Sequence, residues 1–317
     1  MSLSFSLGRE SGGDGRFQRQ VSAFRDHVSA DGSTAYPAAA GRYHLYVSWA
    51  CPWAHRAIIA RRLKGLEDVI GVSVVDPVRD KRGWAFTGGE YVDRVNGFDF
   101  LSETYAATTP DFEGRYSVPV LWDTQTGRIV NNESGDILRM LDQNVGDLAD
   151  GSVDLYPEAH REAIDDLNER MYDALNNGVY KAGFATEQAV YEEEVDGIFA
   201  MLAELDERLA GRRFLFGERP VESDWRLFTT LVRFDAVYAV HFKCSRGRIV
   251  DHPSLWAYLR DLYQWPGIAD TVRMDEIRAH YYRTHPDINP NGIVAVLPAA
   301  DLSAPHDRAR LGSGVAA

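Results

Sequence analysis

The stretch "SWACPWAHR", residues 48–56, sets Cys51 directly before Pro52 and a helical pattern, in a chain whose only other cysteine is Cys244. Four chemistries fit a cysteine there: a small buried apolar residue, half of a disulfide, a metal ligand or a nucleophile. Pro52 suits the first helical position, where its missing N–H has no intrahelical acceptor to lose, so Cys51 is the expected N-cap. The orphan N–H groups and the positive end of the helix dipole favour a negative charge at that point. A thiol so placed can ionise at or below physiological pH, which makes it a nucleophile. The plain alternative is a buried structural cysteine, and the strand–Cys–Pro–helix context weighs against it.

Dithiol oxidoreductases carry a resolving cysteine three residues on, where this chain has Ala54. Cys244 lies far along the chain. A mixed disulfide on Cys51 therefore needs a thiol from outside, and in a reducing cytoplasm that thiol is glutathione. The cysteines and the nine histidines show no ligand spacing, so no metal is expected. His55 reads as a surface or packing residue rather than a base. Glutathione brings carboxylates, an ammonium and a peptide backbone, and each needs a partner. "YSVPV" (116–120) offers a backbone edge. Pro119 is cis if this is a thioredoxin fold, and an ordinary edge proline fits the pattern equally well. "NNESGDIL" (131–138) sets Glu133 and Ser134 at a helix start. The N–H groups there and the Ser134 hydroxyl suit the γ-glutamyl carboxylate, and Glu133 suits the ammonium. Ser134 as a simple helix cap is compatible with this. Arg115 has the fork geometry to clamp the glycyl carboxylate.

The elements that must position these residues follow from periodicity. "YHLYVS" (43–48) alternates and reads as a strand, "PWAHRAIIARRLKGL" as a helix and "VIGVSVVDP" (69–77) as a second strand. Residues 78–115 read as a long, glycine-containing loop region. "SVPVLWDTQTGRIVNNES" reads as strand, turn at Thr126-Gly127 and strand, followed by the helix "SGDILRMLDQNV". The order βαβ then ββα is the thioredoxin arrangement. From about 155 onward, four long helical patterns follow with few strand signals. The expected division is an extended arm over 1–40 with room for one short helix, a thioredoxin-like glutathione-binding domain over 41–150, an all-helical domain over 151–303, and a tail over 304–317 that frays. The fold class is thus an α/β thioredoxin-like N-terminal domain plus an all-α C-terminal domain.

Composition narrows the partners. Acidic residues outnumber basic ones, 47 to 34, for a formal net charge of −13. That argues against nucleic acid and against an anionic membrane surface, while leaving room for a small anion in a local basic pocket. No segment is apolar over a bilayer-spanning length, and "MSLSFSLGRESGGDGRFQRQ" lacks the basic start and apolar run of a signal peptide. With only Cys51 and Cys244 there is no disulfide framework, so the cytoplasm is the expected compartment.

Taken together, "SWACPWAHR", "GRYSVPVLWD", "NNESGDILRML", "NNGVYKAGFA", "RLFTTLVRFDAVYAVHFKC" and "HYYRTHPDINPNGIV" resemble the glutathionyl-hydroquinone reductases, the Xi-class glutathione transferases, from about residue 15 to 298. The resemblance implies reduction of a glutathionyl-hydroquinone by glutathione to hydroquinone and oxidised glutathione. It implies Cys51 as nucleophile, and Trp84, Arg115, Val118 through its backbone, Pro119, Glu133 and Ser134 as the glutathione-binding set. It implies that Tyr180 and Tyr281, the latter rather than its neighbour Tyr282, face the hydroquinone, and that the protein is a homodimer. Two departures stand out. Asn291 and Ala295 occupy places where the family's C-terminal run has Thr and Pro. Val221 stands where a helix-capping Thr is usual, leaving Asp224 to stabilise that helix start. The rival readings are an omega-like thiol transferase, a reductive dehalogenase of chlorinated hydroquinones and, in a different class, a non-catalytic glutathione-fold module.

Overall fold

A computed structural model describes residues 13–311. The chain forms two compact units. One comprises Gln20–Asp154 and Thr271–Thr284; the other comprises Leu155–Asp270 with the described parts of Arg9–Arg19 and His285–Ala317. The first unit thus takes in a helix, Met274–Thr284, from within the span expected to be a separate helical domain.

In the first unit a small parallel pair, β1 (Val28–Ser29) with β2 (Tyr36–Pro37), precedes a four-stranded sheet of order β4-β3-β5-β6. β3 is Tyr43–Val47, β4 Gly71–Val74, β5 Val120–Asp123 and β6 Arg128–Asn131. β3 pairs parallel to β4 and antiparallel to β5, and β5 pairs antiparallel to β6. Every residue of the central strands β3 and β5 is buried, as expected of strands covered on both faces. The Arg42 guanidinium grips both Asp123 oxygens at 2.9 and 2.6 Å and so ties the start of β3 to the end of β5. The same carboxylate accepts from Gln125 N–H and Thr126 Oγ1–H, which shapes the turn into β6.

Helix α1 (Pro52–Leu63) connects β3 to β4 and ends with Arg61 and Arg62, cations suited to a helix C-terminus. Just past it the nearly buried Lys64 ammonium meets Asp142 at 3.1 Å. In 78–115 the structure departs from a plain loop. Helix α2 (Ser102–Thr108) forms because Glu103 Oε1 accepts the N–H groups of Asp99 and Phe100, each at 2.9 Å, at its start. Upstream, the Asp93 carboxylate gathers the Tyr46 hydroxyl and the N–H groups of Val95, Asn96 and Phe98. Helix α3 (Ser134–Arg139) continues as a π-helical turn over Met140–Asn144. The short helix expected in the arm is not present among residues 13–40; instead residues 24–26 run beside β6.

The second unit holds α4 (Arg161–Met171), α5 (Gly178–Gly183), α6 (Gln188–Ala210), α7 (Glu222–Arg233) and α8 (Pro253–Tyr263). α6 packs on α5 and α8, and α7 on α4 and α8. The expected long helices after Met171 and Arg233 pass into π-helical turns, Tyr172–Asn176 and Phe234–Tyr238. Trp225, Phe228, Phe234, Phe214 and Tyr258 fill the core. Among the described residues no helix is long and apolar enough to cross a membrane.

The expected fraying after 303 does not hold for residues 304–311. A turn of helix at Arg308–Leu311 buries Arg308, whose guanidinium donates to the carbonyls of Leu209, Arg212 and Arg213 at the end of α6 and to that of Ser254. Orphan carbonyls at a helix C-terminus are what a cation there satisfies. Residues 312–317 lie outside the described residues.

Candidate active site

Where β3 ends, Ser48 folds the chain into a turn. Its Oγ accepts the Ala50 N–H at 3.3 Å and its carbonyl accepts the Cys51 N–H at 3.2 Å. Cys51 is the N-cap of α1 with extended backbone, and Pro52 begins the helix. The Cys51 carbonyl accepts the His55 N–H at 3.0 Å, the first bond of the helix. Cys51 is 8 % exposed, and its thiol donates to the Val118 carbonyl at 3.5 Å. The Val118–Pro119 bond is cis. The structure therefore brings together Cys51, Val118 and Pro119, and resolves in favour of cis a proline that the pattern left open. His55 is a packing residue: it is fully buried, with Nε2 at 2.8 Å from Thr271 Oγ1.

Glu133 and Ser134 sit at the start of α3, and the cap is Glu133, not Ser134. Glu133 Oε1 accepts the Gly135 N–H at 3.1 Å, and Oε2 accepts the Ser22 hydroxyl at 2.9 Å. Ser134 is the first helical residue, where its hydroxyl accepts from Arg56 Nη1 at 3.4 Å. Arg56 is a residue that sequence reasoning missed. It is buried, one turn into α1, with its guanidinium 4.5 Å from the Trp53 ring centre. It links the cysteine-bearing helix to the start of α3. The signal was in the sequence: an arginine within the mostly apolar run 54–60, three residues after Trp53.

Trp84 is buried between two cationic or polarisable planes. The His280 imidazole stacks on it at 5.0 Å and 15°, and the Arg79 guanidinium lies 4.7 Å from its ring centre. His280 Nδ1 is 2.7 Å from the Pro77 carbonyl, which can only accept, so that nitrogen carries the proton. This bond ties α9 (Met274–Thr284) to the loop that carries Trp84. Tyr281 and Tyr282 follow on α9 and both are buried; burial pushes the Tyr282 phenol up to about 12. Tyr281 accordingly belongs to the same compact unit as Cys51 rather than to the helical unit. Arg115 is half-buried, three residues before Val118, with its backbone N–H donating to Gln20 Oε1 at 3.0 Å.

Tyr180 lies in the second unit, on α5. Phe17, Phe184, Tyr238 and Phe242 surround its ring, Phe242 edge-on at 5.3 Å, and the Arg19 guanidinium sits 4.7 Å from its centre. A Cβ on Gly183 would fall 2.3 Å from the Phe242 ring, so the glycine of "NNGVYKAGFA" is what lets Phe242 approach α5. Among the described residues no group of three or more His, Cys, Asp and Glu is arranged to hold a metal ion.

A single cysteine at a helix start beside a cis-proline in a βαβαββα unit, followed by a helical unit, defines the glutathione transferase class. Residues 50–144 match the family model of the glutathione S-transferase N-terminal domain and residues 188–261 that of the C-terminal domain. The glutathionyl-hydroquinone reductase YqjG of Escherichia coli is 49 % identical over 303 residues, covering 93 % of this chain and 92 % of that one. PcpF of Sphingobium chlorophenolicum, also a glutathionyl-hydroquinone reductase, is 47 % identical, covering 91 % of each. The glutathione-bound structure of YqjG superposes with a TM-score of 0.88 over 90 % of this chain and 96 % of that one. The Xi-class transferase from Natrialba magadii does so at 0.90, with 51 % identity, over 94 % and 96 %. This chain belongs to the glutathionyl-hydroquinone reductases, the Xi-class glutathione transferases.

Proposed function

We propose that the protein reduces glutathionyl-hydroquinones with glutathione through a mixed disulfide on Cys51. The observation that carries the reading is the one-cysteine site: Cys51 caps α1 beside the Val118 carbonyl, with Ala54 where a resolving cysteine would be. The Cys51 thiolate attacks the sulfur of the glutathionyl adduct. The sulfur–sulfur bond forms, the carbon–sulfur bond breaks, and the ring carbon takes a proton to give hydroquinone. A bare aryl carbanion is a poor leaving group, so the ring reacts as its keto tautomer, and Tyr180 and Tyr281 serve by holding the ring oxygens. A glutathione thiolate then attacks the glutathionyl sulfur, releasing oxidised glutathione and the Cys51 thiolate. The ring carbon gains the two electrons that the two glutathione sulfurs lose.

The glutathione chain lies along the Val118 backbone edge ahead of Pro119, as peptide-like ligands pair with an open strand edge. Ser134 and the first N–H groups of α3 take the γ-glutamyl carboxylate, Glu133 the ammonium, Arg115 the glycyl carboxylate, and Trp84 covers the bound thiol partner. These contacts fall within 41–150, the domain assigned to glutathione. The protein works as a cytoplasmic homodimer without a metal; light scattering reads the dimer directly.

Mass spectrometry after exposure to a glutathionyl-hydroquinone tests the chemistry. The expected result is a glutathione adduct on Cys51 with one hydroquinone released per site. A Cys51→Ala variant should bind glutathione and turn nothing over. Turnover by that variant at a rate near wild type would sink the mechanism.

A further inference from the structure

The two segments assigned to glutathione meet at a single hydroxyl. Tyr105, on α2, is fully buried. Its hydroxyl donates to the Ser117 carbonyl at 2.8 Å, accepts the Ser117 N–H at 3.0 Å and accepts from Asn132 Nδ2 at 3.1 Å. A phenol has one proton and two lone pairs, which these three shorter bonds can fill, with the Ser117 hydroxyl a further contact at 3.3 Å. Ser117 directly precedes Val118–Pro119, whose carbonyl faces the Cys51 thiol. Asn132 directly precedes Glu133–Ser134 at the start of α3. Asn132 is itself fixed on its other sides: its Oδ1 accepts the Phe24 N–H at 3.0 Å, and its N–H donates to the Phe24 carbonyl at 3.1 Å. The rings of Phe24, Phe112 and Tyr116 close around Tyr105 at 5.7, 5.1 and 5.3 Å and hold the phenol in place.

We infer that Tyr105 is a positioning residue for the glutathione site, setting the Val118–Pro119 edge and the Glu133–Ser134 helix start relative to each other through its hydroxyl. The inference rests on the proposed glutathione contacts and adds to them the part that fixes their spacing. The two shorter bonds to Ser117 go to its main chain, and the Ser117 hydroxyl adds a longer contact at 3.3 Å. Removing the hydroxyl leaves the part-buried Ser117 N–H and carbonyl and the buried Asn132 amide each a partner short, and each segment then relaxes by itself. A ligand that must touch both segments at once loses affinity, while the thiol chemistry at Cys51 keeps its own geometry.

The test is Tyr105→Phe, which keeps the ring and its packing. Its KM and Kd for glutathione should rise about tenfold, with kcat at saturating glutathione within about twofold of wild type. Without glutathione, amide hydrogen exchange should speed up in both 116–120 and 131–135. Asn132→Ala, which cuts the bond to Tyr105 and also removes the acceptor of the Phe24 N–H, should raise Kd for glutathione and speed exchange in 131–135 and at Phe24 but not in 116–120. A Tyr105→Phe protein with a lower Tm but wild-type Kd and KM assigns the hydroxyl to stability alone and overturns the inference. So does unchanged exchange in both segments. A wild-type protein that binds no glutathione overturns the proposed function as well, which the first two outcomes do not touch.

Discussion

At the scale of the residue, the two thiols of the chain are both buried but differ in their settings. Cys51 caps a helix beside a backbone carbonyl, while Cys244 is fully buried and burial pushes its thiol up to about 12. A thiolate is the reactive form, so Cys244 is inert as long as the fold holds. Iodoacetamide at pH 7.5 should alkylate Cys51 in the native protein and both cysteines in denaturant, as read by peptide mass spectrometry. Labelling of Cys244 in the native state at a rate like that of Cys51 would contradict this. Arg56 shows the same principle for charge. A buried guanidinium is retained where it has a π-face and an acceptor, here Trp53 and Ser134.

At the scale of the element, the start of α7 shows how the chain manages without a capping hydroxyl. Val221 stands at the N-cap, and its side chain has no oxygen to offer. Asp224 compensates from the third helical position. It accepts the Val221 N–H at 2.8 Å and also the Leu215 N–H at 2.9 Å and the Tyr258 hydroxyl at 2.7 Å. The carboxyl is completely buried, and burial raises it to about 6 against these hydrogen bonds, which pull the other way. Below the unfolded value of 3.8 both states hold the proton. Between that value and about 6 only the folded state does, so stability from this group falls as pH rises through the window. Asp224→Asn should destabilise the fold by about 1–3 kcal/mol. The gap between the two proteins in urea unfolding should narrow as pH rises from about 4 to about 6. A gap that stays constant or widens would refute the account.

At the scale of the whole molecule, both units draw on chain from beyond their main span. Thr271–Thr284 joins the unit built around Cys51, where His55 reaches Thr271 and His280 reaches Pro77. In the helical unit, Arg308 returns from near the end of the chain to cap α6. Arg308→Ala strips those carbonyls of a charged donor and should lower Tm by roughly 5 °C, with little change in KM for glutathione. Arg308→Lys should not restore it, because a point charge cannot serve carbonyls on several sides as the guanidinium fork does. Calorimetry of the three proteins checks both statements, and a Tm unchanged in the alanine variant would remove the anchoring role.

The sequence by itself determined the βαβ and ββα order, four of the helical patterns of the second unit in outline, and Cys51 as the residue to watch. Those features rest on local signals: strand alternation, helical spacing, and a proline that suits one helix position. It also carried the family motifs, because these sit in short contiguous stretches. Tertiary structure alone decided the cis form of Pro119, the identity of the α3 cap and the allegiance of Tyr281 to the cysteine-bearing unit. Each depends on partners remote in sequence or on side-chain competition that periodicity cannot encode. Ser134 and Glu133 both have oxygens fit to cap a helix, and only the backbone path from Asn131, whose Oδ1 accepts the Glu133 N–H at 2.7 Å, selects between them. The Tyr105 hydroxyl is the clearest case. Nothing in "SETYAAT" marks it, and its meaning exists only where Ser117 and Asn132 converge.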